Sequence, residues 1–242
     1  TTGGEIRYRS ISGDGTRIAF TSEGDHTGGN PDGNSEIFLV DVTEGLEGPE
    51  GTTSQLTDTI EGSAYGPSLS GDGTRIAYGF EPDFDADDVS AGVFLHNTTT
   101  GTTTTLVDGE DFVADLAITA DGSQIAFAST GDLTGDNADG NEEIFLLDTA
   151  DSTTTQLTDS SVAGSRGLSF AQDGNRIAFS SEADHTGDNV DLSTEVFTVD
   201  ITDGTISQVT EGTIPPSRAS SVTGDPSVSS DGTRVAFTSD AD

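Results

Sequence analysis

The sequence has 242 residues and contains no cysteine, lysine, methionine or tryptophan. Without cysteine, disulfides cannot hold the chain together, and the redox compartment cannot be inferred. No stretch approaches the roughly 20 apolar residues that a membrane helix needs, so we expect no membrane span. The G-x-S-x-G nucleophile motif, zinc-ligand motifs and phosphate-binding loops are also missing, which leaves no recognised catalytic pattern.

Positive charge is scarce throughout the chain. All eight basic residues are arginine, against 44 aspartates and glutamates, and the formal net charge is −36. Two causes fit this excess. In concentrated salt the Debye length shrinks to about 3 Å at 1 M, so an acidic surface no longer repels itself; in the other case, divalent cations bridge the carboxylates. Such a surface repels nucleic acid and anionic lipid, so we expect neither as a partner.

One nine-residue stretch, S-G-D-G-T-R-I-A-F at residues 12–20, returns four more times with small changes. Each copy contains an Asp-Gly pair between two short apolar segments, which is a strong hairpin signal because glycine accepts the positive φ of the turn. A period of about fifty residues made of strands and turns is typical of a propeller blade. The aspartates of these pairs are Asp14, Asp72, Asp121, Asp173 and Asp231.

The repeats predict an all-β protein, a single-domain β-propeller over residues 1–242 with four-stranded antiparallel blades. Low hydrophobicity and high charge are also typical of disorder, but strand-length apolar segments recur in register, so we expect a fold that needs salt or metal. Repeats one to five are placed at 5–58, 63–108, 113–159, 164–211 and 222–242, the last being partial. First strands are expected at 8–12, 67–70, 116–119 and 167–170, and fourth strands at 53–57, 103–107, 154–158 and 206–210.

Repeat five stops inside its motif, after two expected strands. The first expectation is a fragment of a longer propeller, processed or trimmed, since the chain begins at Thr1 rather than at methionine. The other is that a protein partner or a second copy of the chain completes the partial blade by edge pairing.

The pattern P-S-x-S-x-D-G-T-R-I-A-F, followed by E-I-F-L-V-D and T-Q-L-T-D, resembles the TolB-type β-propeller repeat over nearly the whole chain. The resemblance implies WD-repeat-like blades and export, because such repeats occur in periplasmic, secreted and cell-surface proteins and in propeller domains of some peptidases. Together with the acidic composition, it places the protein outside the cell or on the surface of a salt-adapted bacterium or archaeon. Fold alone does not fix an activity.

The loop between the second and third strands carries the most specific pattern. Oxygen-bearing side chains recur at alternate positions and end in glutamate, which suits Ca²⁺, a cation that takes six to eight oxygens. The loop resembles the start of an EF-hand loop, although the glutamate comes too early. The predicted ligands are Asp25, Asn30, Asp32, Asn34 and Glu36 in repeat one, Asp132, Asn137, Asp139, Asn141 and Glu143 in repeat three, and Asp184, Asn189, Asp191, Ser193 and Glu195 in repeat four.

A second interpretation of this loop is that Asx-rich turns satisfy their own backbone, and that the acids reflect salt adaptation. The loop of repeat two, residues 81–92, is acidic but lacks the closing glutamate, so no calcium site is expected there. In repeat four, Leu192 replaces the turn glycine.

Other recurring polar residues are expected to be structural. His26 and His185 correspond to Leu133, which favours packing over chemistry. The turn aspartates are explained by the turns. An arginine recurs after the Asp-Gly turn and is predicted to form an ion pair with acids of an adjacent strand or loop. An exposed pair of this kind stabilises a fold by about 0 to 1 kcal/mol. The arginines are Arg17, Arg75, Arg176 and Arg234, and repeat three has Gln124 at this position.

Three hypotheses for the function follow. The first is a non-enzymatic, calcium-stabilised, exported module that has a structural or binding role, or assembles at the cell surface. The second is the propeller domain of a secreted hydrolase, a peptidase or a polysaccharide-degrading enzyme, in which acids found only in repeat two serve the reaction. The third is a scaffold whose acidity is only halophilic. The acids of the second hypothesis are Asp83, Asp85, Asp87 and Asp88.

Overall fold

The computed structural model describes residues 4–42, 51–60, 62–83, 91–109, 113–211 and 225–239. These residues form strands, turns and loops. The part of the chain that the structure describes has no helix long and apolar enough to cross a membrane. The predicted all-β class is confirmed.

The chain forms two compact units, of which the first is Thr1–Gly122. Repeats one and two each fold into a four-stranded antiparallel sheet in which every strand pairs with the next. The strands of this unit are β1 (Ile6–Ile11), β2 (Arg17–Ser22), β3 (Glu36–Asp41), β4 (Thr52–Gln55), β5 (Gly62–Leu69), β6 (Arg75–Pro82), β7 (Ala91–Asn97), β8 (Thr102–Gly109) and β9 (Val113–Ile118).

The second unit is Ser123–Asp242. Repeat four forms a four-stranded sheet, β10 to β12 of repeat three run antiparallel, and β17 pairs with β18 in repeat five. The strands are β10 (Gln124–Ser129), β11 (Glu143–Asp148), β12 (Thr154–Gln156), β13 (Ser165–Phe170), β14 (Arg176–Ser181), β15 (Glu195–Asp200), β16 (Ile206–Gln208), β17 (Ser227–Val228) and β18 (Val235–Ala236).

The first strand of each of repeats one to four begins earlier than the sequence predicts. The prediction for repeat one starts at residue 8, but β1 starts at Ile6; β5, β9 and β13 likewise start before 67, 116 and 167. The cause is a β-bulge, which shifts the register between Arg7 and Arg9 and contains a residue with positive φ. The predicted strands start at this residue or directly after it. In repeats one to four the residue is Tyr8 (43°), Gly66 (60°), Asp115 (49°) and Gly167 (64°).

The fourth strands of repeats one, three and four end earlier than predicted. In repeat one, β4 ends at Gln55 because the Thr57 hydroxyl, 2.8 Å from the Ile37 nitrogen, accepts the N–H that a further ladder residue would bind. Thr158 and Thr210 do the same for Ile144 (2.9 Å) and Val196 (2.8 Å). In repeat two the matching residue is Val107, which has no hydroxyl, and β8 continues to Gly109.

Within the first unit, the sheets of repeats one and two pack face to face. Ala19, Ile37 and Leu39 of repeat one share a buried cluster with residues of repeat two. Those residues are Ala64, Leu69, Ile76 and Tyr78. Covering both faces of a sheet explains why its strands are apolar without strict alternation.

Neighbouring repeats are linked by a recurring set of three hydrogen bonds, the inter-repeat joint. Between repeats one and two, Ser10 Oγ accepts the Leu69 N–H (2.9 Å), the Gly13 N–H reaches the Gly71 carbonyl (2.8 Å) and Arg17 Nη1 reaches the Gly73 carbonyl (2.8 Å). Repeats two and three are joined by the same bonds: Ile118 to Ser68, Gly71 to Ala120 and Arg75 to Gly122. Repeats four and five are joined by Val228 to Ser169, Arg176 to Gly232 and Asp173 to Ser230, where the turn N–H comes from one residue later in the turn than Gly13.

The recurring arginine therefore has two roles. Its predicted ion pair is confirmed for Arg17 with Asp41 (2.9 Å) and for Arg176 with Asp200 (3.2 Å). Its bond to the next repeat was not predicted. The arginine lies so close to the turn that a Cβ built on Gly73 would be 2.8 Å from Arg17 Cδ. A side chain at this position would displace the arginine, and the φ of 67° itself favours glycine there.

Candidate functional site

The Asp-Gly turns are self-contained. Asp14 Oδ1 accepts the Thr16 N–H (2.9 Å) and the hydroxyls of Ser12 (2.7 Å) and Thr16 (2.8 Å). These bonds stabilise the charged carboxylate, the Thr16 N–H most of all, and lower the pKa of Asp14 to about 2. Asp231 has the same surroundings, with the Ser229 hydroxyl as the largest contribution, and its pKa is also lowered to about 2. The structural interpretation of these aspartates is supported.

The first predicted ligand of each loop closes a turn on its own backbone. Asp25 Oδ1 lies 2.6 Å from the Gly28 nitrogen and 3.4 Å from that of Asn30. Asp184 Oδ1 accepts the N–H groups of Gly187 and Asn189 at 2.7 and 3.1 Å, and Asp132 Oδ1 accepts that of Asn137 at 3.0 Å. One carboxylate oxygen of each is therefore committed to an Asx turn.

The second predicted ligand is nearly buried and ties the two ends of the loop together. Asn30 Nδ2 donates to the carbonyls of Asn34 (3.0 Å) and Glu23 (3.4 Å). Asn137 and Asn189 repeat this arrangement with Asn141 (3.0 Å) and Ser193 (2.9 Å). Because the amide nitrogen points at the backbone, the amide oxygen faces the other way; that of Asn30 is buried without a hydrogen-bond partner.

The fourth predicted ligand fastens the loop to the chain that follows the fourth strand. Asn34 Nδ2 donates to Thr59 Oγ1 (2.9 Å), to the Gly62 carbonyl (3.0 Å) and to the Thr59 carbonyl. Asn141 Nδ2 donates to the Ser160 carbonyl. The side-chain oxygens of both asparagines are buried and have no hydrogen-bond partner.

The closing glutamates are buried and hydrogen-bonded to the end of the fourth strand. Glu36 is 1 % exposed, and Glu143 and Glu195 are 0 % exposed. Glu36 Oε1 accepts the N–H and the hydroxyl of Thr59, each at 2.6 Å, and Oε2 accepts the hydroxyl of Thr57. Glu143 and Glu195 accept the hydroxyls of Thr158 and Thr210. We call this contact the Glu–Thr clamp.

Burial of a carboxylate disfavours its charge. For Glu143, desolvation raises the pKa above its ordinary value, and the hydrogen bonds from Thr158 and Ser160 only partly oppose this. An anion of this kind is stabilised by any cation that reaches it.

A sequence signal for the clamp exists but was missed. Repeat two has Gly92 in place of the glutamate and Val107 in place of the threonine. Both partners are thus lost together in the one repeat without the closing glutamate. This joint loss identifies the threonine as the partner of the glutamate.

In repeat four, four of the five predicted ligands meet at one point. Ser193 Oγ lies 2.6 Å from Glu195 Oε1, 2.9 Å from Asp191 Oδ1 and 3.3 Å from Asn189 Oδ1. A serine hydroxyl has one hydrogen and can donate to only one of these three acceptors. The fifth ligand, Asp184, lies at the Asx turn instead.

The carboxylates do not form a metal site without other ligands. Among the residues that the structure describes, no three aspartate, glutamate, histidine or cysteine side chains are grouped closely enough to hold an ion. A cation in these loops would depend on amide, hydroxyl and carbonyl oxygens as well. In the loop of repeat two, Asp83 is exposed, whereas Asp85, Asp87 and Asp88 lie outside the described residues, so the prediction of no site there stays a prediction.

The two loop histidines pack on aromatic rings. The His26 ring lies edge-on to Phe38 at 4.9 Å and to Phe20 at 5.5 Å, and its Nε2 is 2.9 Å from Ser22 Oγ. His185 makes the same contacts with Phe197 and Phe179, and burial lowers its pKa. These contacts confirm the packing role.

The tip of the loop is strained in repeat four. Leu192 has φ of 54°, where Gly33 and Gly140 have 72° and 67°. A leucine in the left-handed region is disfavoured by its Cβ.

The fold resembles those of solved propeller structures. TolB from Acinetobacter baumannii is 18 % identical, with a TM-score of 0.63, over 96 % of this chain and 48 % of that one. A putative TolB from Agrobacterium tumefaciens is 20 % identical, with a TM-score of 0.64, over 98 % and 76 %. A puromycin-hydrolysing peptidase from Mycobacterium tuberculosis is 16 % identical, with a TM-score of 0.60, over 88 % and 30 %.

These similarities establish the TolB-like β-propeller fold that the sequence pattern predicts. At these identities they show the fold alone, and this chain spans about half the length of the Acinetobacter protein. No protein-family model matches the chain, and no curated protein matches its sequence.

Proposed function

We propose that the protein is an exported TolB-like propeller with a structural or binding role, stabilised by Ca²⁺ in the second-to-third-strand loops of repeats one, three and four. The observation that carries the proposal is the oxygen cluster around Ser193 in repeat four. Oxygens of Asn189, Asp191 and Glu195 all lie within 3.3 Å of Ser193 Oγ there. A cation placed among them would be attracted by oxygens of all four side chains.

The loops of repeats one and three support the same proposal in another way. The oxygens of Asn30, Asn34 and Asn141 are buried and unpartnered. A buried polar atom without a partner costs about 1 to 3 kcal/mol. Asparagine oxygens are ordinary calcium ligands, and Ca²⁺ tolerates irregular sites that water completes.

Salt adaptation is supported by composition, and export by the similarity to TolB. A net charge of −36 on 242 residues destabilises a compact chain through self-repulsion at low ionic strength. Free calcium and salt outside the cell both reduce that cost. Because the buried Glu36, Glu143 and Glu195 also add negative charge inside the loops, a bound cation would stabilise the interior as well as the surface.

The proposal is tested by thermal unfolding in CaCl₂ and in EDTA at equal ionic strength, with MgCl₂ as a further comparison. A ligand at 100 times its Kd stabilises by about 2.7 kcal/mol, and for a chain of this size each kcal/mol raises Tm by about 2 to 4 °C. Asp191→Asn keeps the shape and removes the charge, so it should reduce the calcium response. Asp83→Asn, which removes one exposed acid from the loop of repeat two, should leave the response unchanged.

Equal melting temperatures in calcium and in EDTA would contradict the calcium proposal. A strong dependence on NaCl in the same experiment would then favour a scaffold whose acidity serves salt alone.

A second candidate function is the propeller domain of a secreted hydrolase. The similarity to the mycobacterial peptidase supports it, and Asp83 is exposed, so a substrate can reach its carboxylate. Incubating the purified chain with peptide and polysaccharide panels tests it. Hydrolysis that Asp83→Asn abolishes would support this candidate, and an inactive protein that still responds to calcium would support the first.

A further inference from the structure

One N-x-S/T motif occurs in the sequence, Asn97-Thr98-Thr99, and the proposed function makes no use of it. None of the other six asparagines is followed, two residues later, by serine or threonine. The motif is the acceptor pattern for N-linked glycosylation and is typical of surface loops in secreted proteins. In the structure it begins at the end of β7, where Asn97 pairs with Thr102, the first residue of β8.

The side chain of Asn97 is held with its nitrogen facing away from the backbone. Asn97 Oδ1 accepts the N–H groups of Thr99 (2.9 Å) and Thr100 (3.0 Å). Because both partners are donors, the side-chain oxygen has to face them, and the side-chain nitrogen takes the other side of the amide. Among the described residues, none accepts a hydrogen bond from Asn97 Nδ2. An N-linked sugar is attached to this nitrogen.

The turn between β7 and β8 leaves room for a bulky group. Asn97 is half-buried at the end of β7, and Thr99, Thr100 and Gly101 after it are exposed. A Cβ built on Gly101 would meet no atom within 4 Å. The Thr99 hydroxyl, which completes the motif, is therefore open to an enzyme.

The middle residue of the motif is turned towards the protein instead. Thr98 Oγ1 accepts a hydrogen bond from Arg17 Nη1 (2.8 Å) and donates to the Gly73 carbonyl (3.0 Å), so it is tied to the inter-repeat joint. This residue can be any type except proline in the motif, and its side chain is not read. The fold thus buries the side chain that recognition does not need and leaves those of Asn97 and Thr99 accessible.

Repeat two differs from the other repeats at this position. By the register of the second and third strands, Asn97 corresponds to Asp41, Asp148 and Asp200. Asp148 and Asp200 accept a turn N–H in the same way (2.8 and 2.9 Å), and Asp41 and Asp200 also pair with an arginine. The turn N–H contributes most to lowering the pKa of Asp200, and the arginine adds to it, so the position favours a carboxylate. An asparagine here keeps the turn, cannot form the ion pair, and adds an amide nitrogen.

We propose that Asn97 is an N-glycosylation site. The sugar comes from a lipid-linked oligosaccharide donor. Asn97 Nδ2 loses one proton and forms a bond to the anomeric carbon of the first sugar, while the bond from that carbon to a phosphate oxygen breaks and the lipid phosphate leaves with the electron pair. Such donors are used outside the cytoplasm, so the proposal rests on the export that the proposed function includes.

Mass spectrometry of the full chain tests the proposal in two samples. One is recovered from the cells that produce the protein. The other is expressed behind an added secretion signal in a host that glycosylates its exported proteins, so that export is supplied. In both, the peptide that contains Asn97 should carry the mass of an oligosaccharide. An amidase specific for N-linked glycans should remove that mass and leave aspartate.

The two samples separate this proposal from the proposed export. A bare Asn97 in protein that has reached the medium or the cell surface, in either sample, overturns the glycosylation proposal. Protein that the producing cells keep in the cytoplasm contradicts export instead, and the secreted sample then decides whether Asn97 is an acceptor.

Four variants of the secreted chain identify the acceptor atom. Asn97→Asp introduces the residue of the other repeats, and Thr99→Ala removes the hydroxyl of the motif; each should lose the whole added mass. Thr99→Ser keeps the hydroxyl and should retain the mass, as should the matched control Thr100→Ala, which changes an exposed threonine outside the motif. Circular dichroism confirms that each variant folds. A sugar mass that persists in Asn97→Asp would lie on another residue and would overturn the proposal.

Discussion

Repeats one and two share a four-stranded sheet but close it in different ways. Repeat one ends β4 at Gln55 and uses Glu36 and Thr57 as a side-chain clamp. Repeat two has neither residue, and β8 carries the backbone ladder on to Gly109. The difference teaches that the closing glutamate, which sequence pattern marks as a metal ligand, is first of all the partner of a threonine 21 residues away.

The largest effect is expected from breaking the clamp. Glu36→Ala removes the acceptor of three donors, of which that of Thr57 is buried and the two of Thr59 are half-buried. We expect a loss of about 3 kcal/mol in the free energy of unfolding. Urea denaturation in EDTA measures it without any contribution from calcium.

A double variant decides whether the loss belongs to the pair. Glu36→Gly with Thr57→Val copies the pattern of repeat two, and its cost should be well below the sum of the single changes. Strictly additive costs would show that glutamate and threonine do not act together.

The next largest loss of stability is expected from the reverse change, which introduces a side chain at the glycine of repeat two. A Cβ on Gly92 would lie 2.2 Å from the Val107 carbonyl oxygen, so Gly92→Ala forces the backbone apart and should cost about 2 kcal/mol. Gly29→Ala is the control, because its Cβ meets only the flexible end of Gln55. Equal melting temperatures for the two variants would refute the steric explanation.

When repeat four is compared in the same way, a substitution that increases stability is predicted. Leu192→Gly removes a left-handed leucine and should stabilise the protein by about 1 kcal/mol, whereas Gly33→Leu in repeat one should destabilise it by a similar amount. Thermal unfolding of both variants measures the pair. A loss on introducing glycine would mean that the exposed leucine makes contacts worth more than the strain.

The smallest effect concerns pH. His96 of repeat two takes the position of Val40, and burial lowers its pKa. The fold therefore favours the neutral imidazole: its contribution to stability is complete above pH 6.5 and falls as the pH drops below that value.

His96→Val makes repeat two like repeat one at this position. Between pH 7 and about pH 5 the variant should lose less stability than the parent chain, while at pH 8 both should respond alike to a further change of pH. Urea denaturation across this range checks it, and parallel curves for the two proteins would assign the acid sensitivity to other groups.

The sequence predicts the sheets well because turns and apolar segments are local signals. The Asp-Gly pairs and segments such as Ile37 to Val40 mark the strands correctly. The bulge was missed because its positive-φ residue differs between repeats. Tyr8 gives no turn signal, whereas Gly66, Asp115 and Gly167 are residue types that also mark the ordinary turn before a strand.

The loop was harder, because its partners are distant in sequence. Asp25 and Asn30 bind their own loop, which local pattern suggests, but Asn34 and Glu36 bind Thr59, more than 20 residues away. The joint was invisible for another reason: Arg17 binds a backbone carbonyl of Gly73, and a carbonyl has no signature in the sequence. Only comparison of repeats reveals such contacts.

The inter-repeat joint also separates two kinds of evolutionary change. All its hydrogen bonds come from the first strand, the Asp-Gly turn and the arginine that opens the second strand. The loop that follows the second strand takes no part in them. The last residues of that loop do bind the next repeat, since the Ser35 carbonyl accepts the Ala64 N–H (2.8 Å) and Asn34 Nδ2 donates to the Gly62 carbonyl (3.0 Å). Insertions or deletions earlier in the loop can therefore arise in one repeat without altering these contacts between repeats.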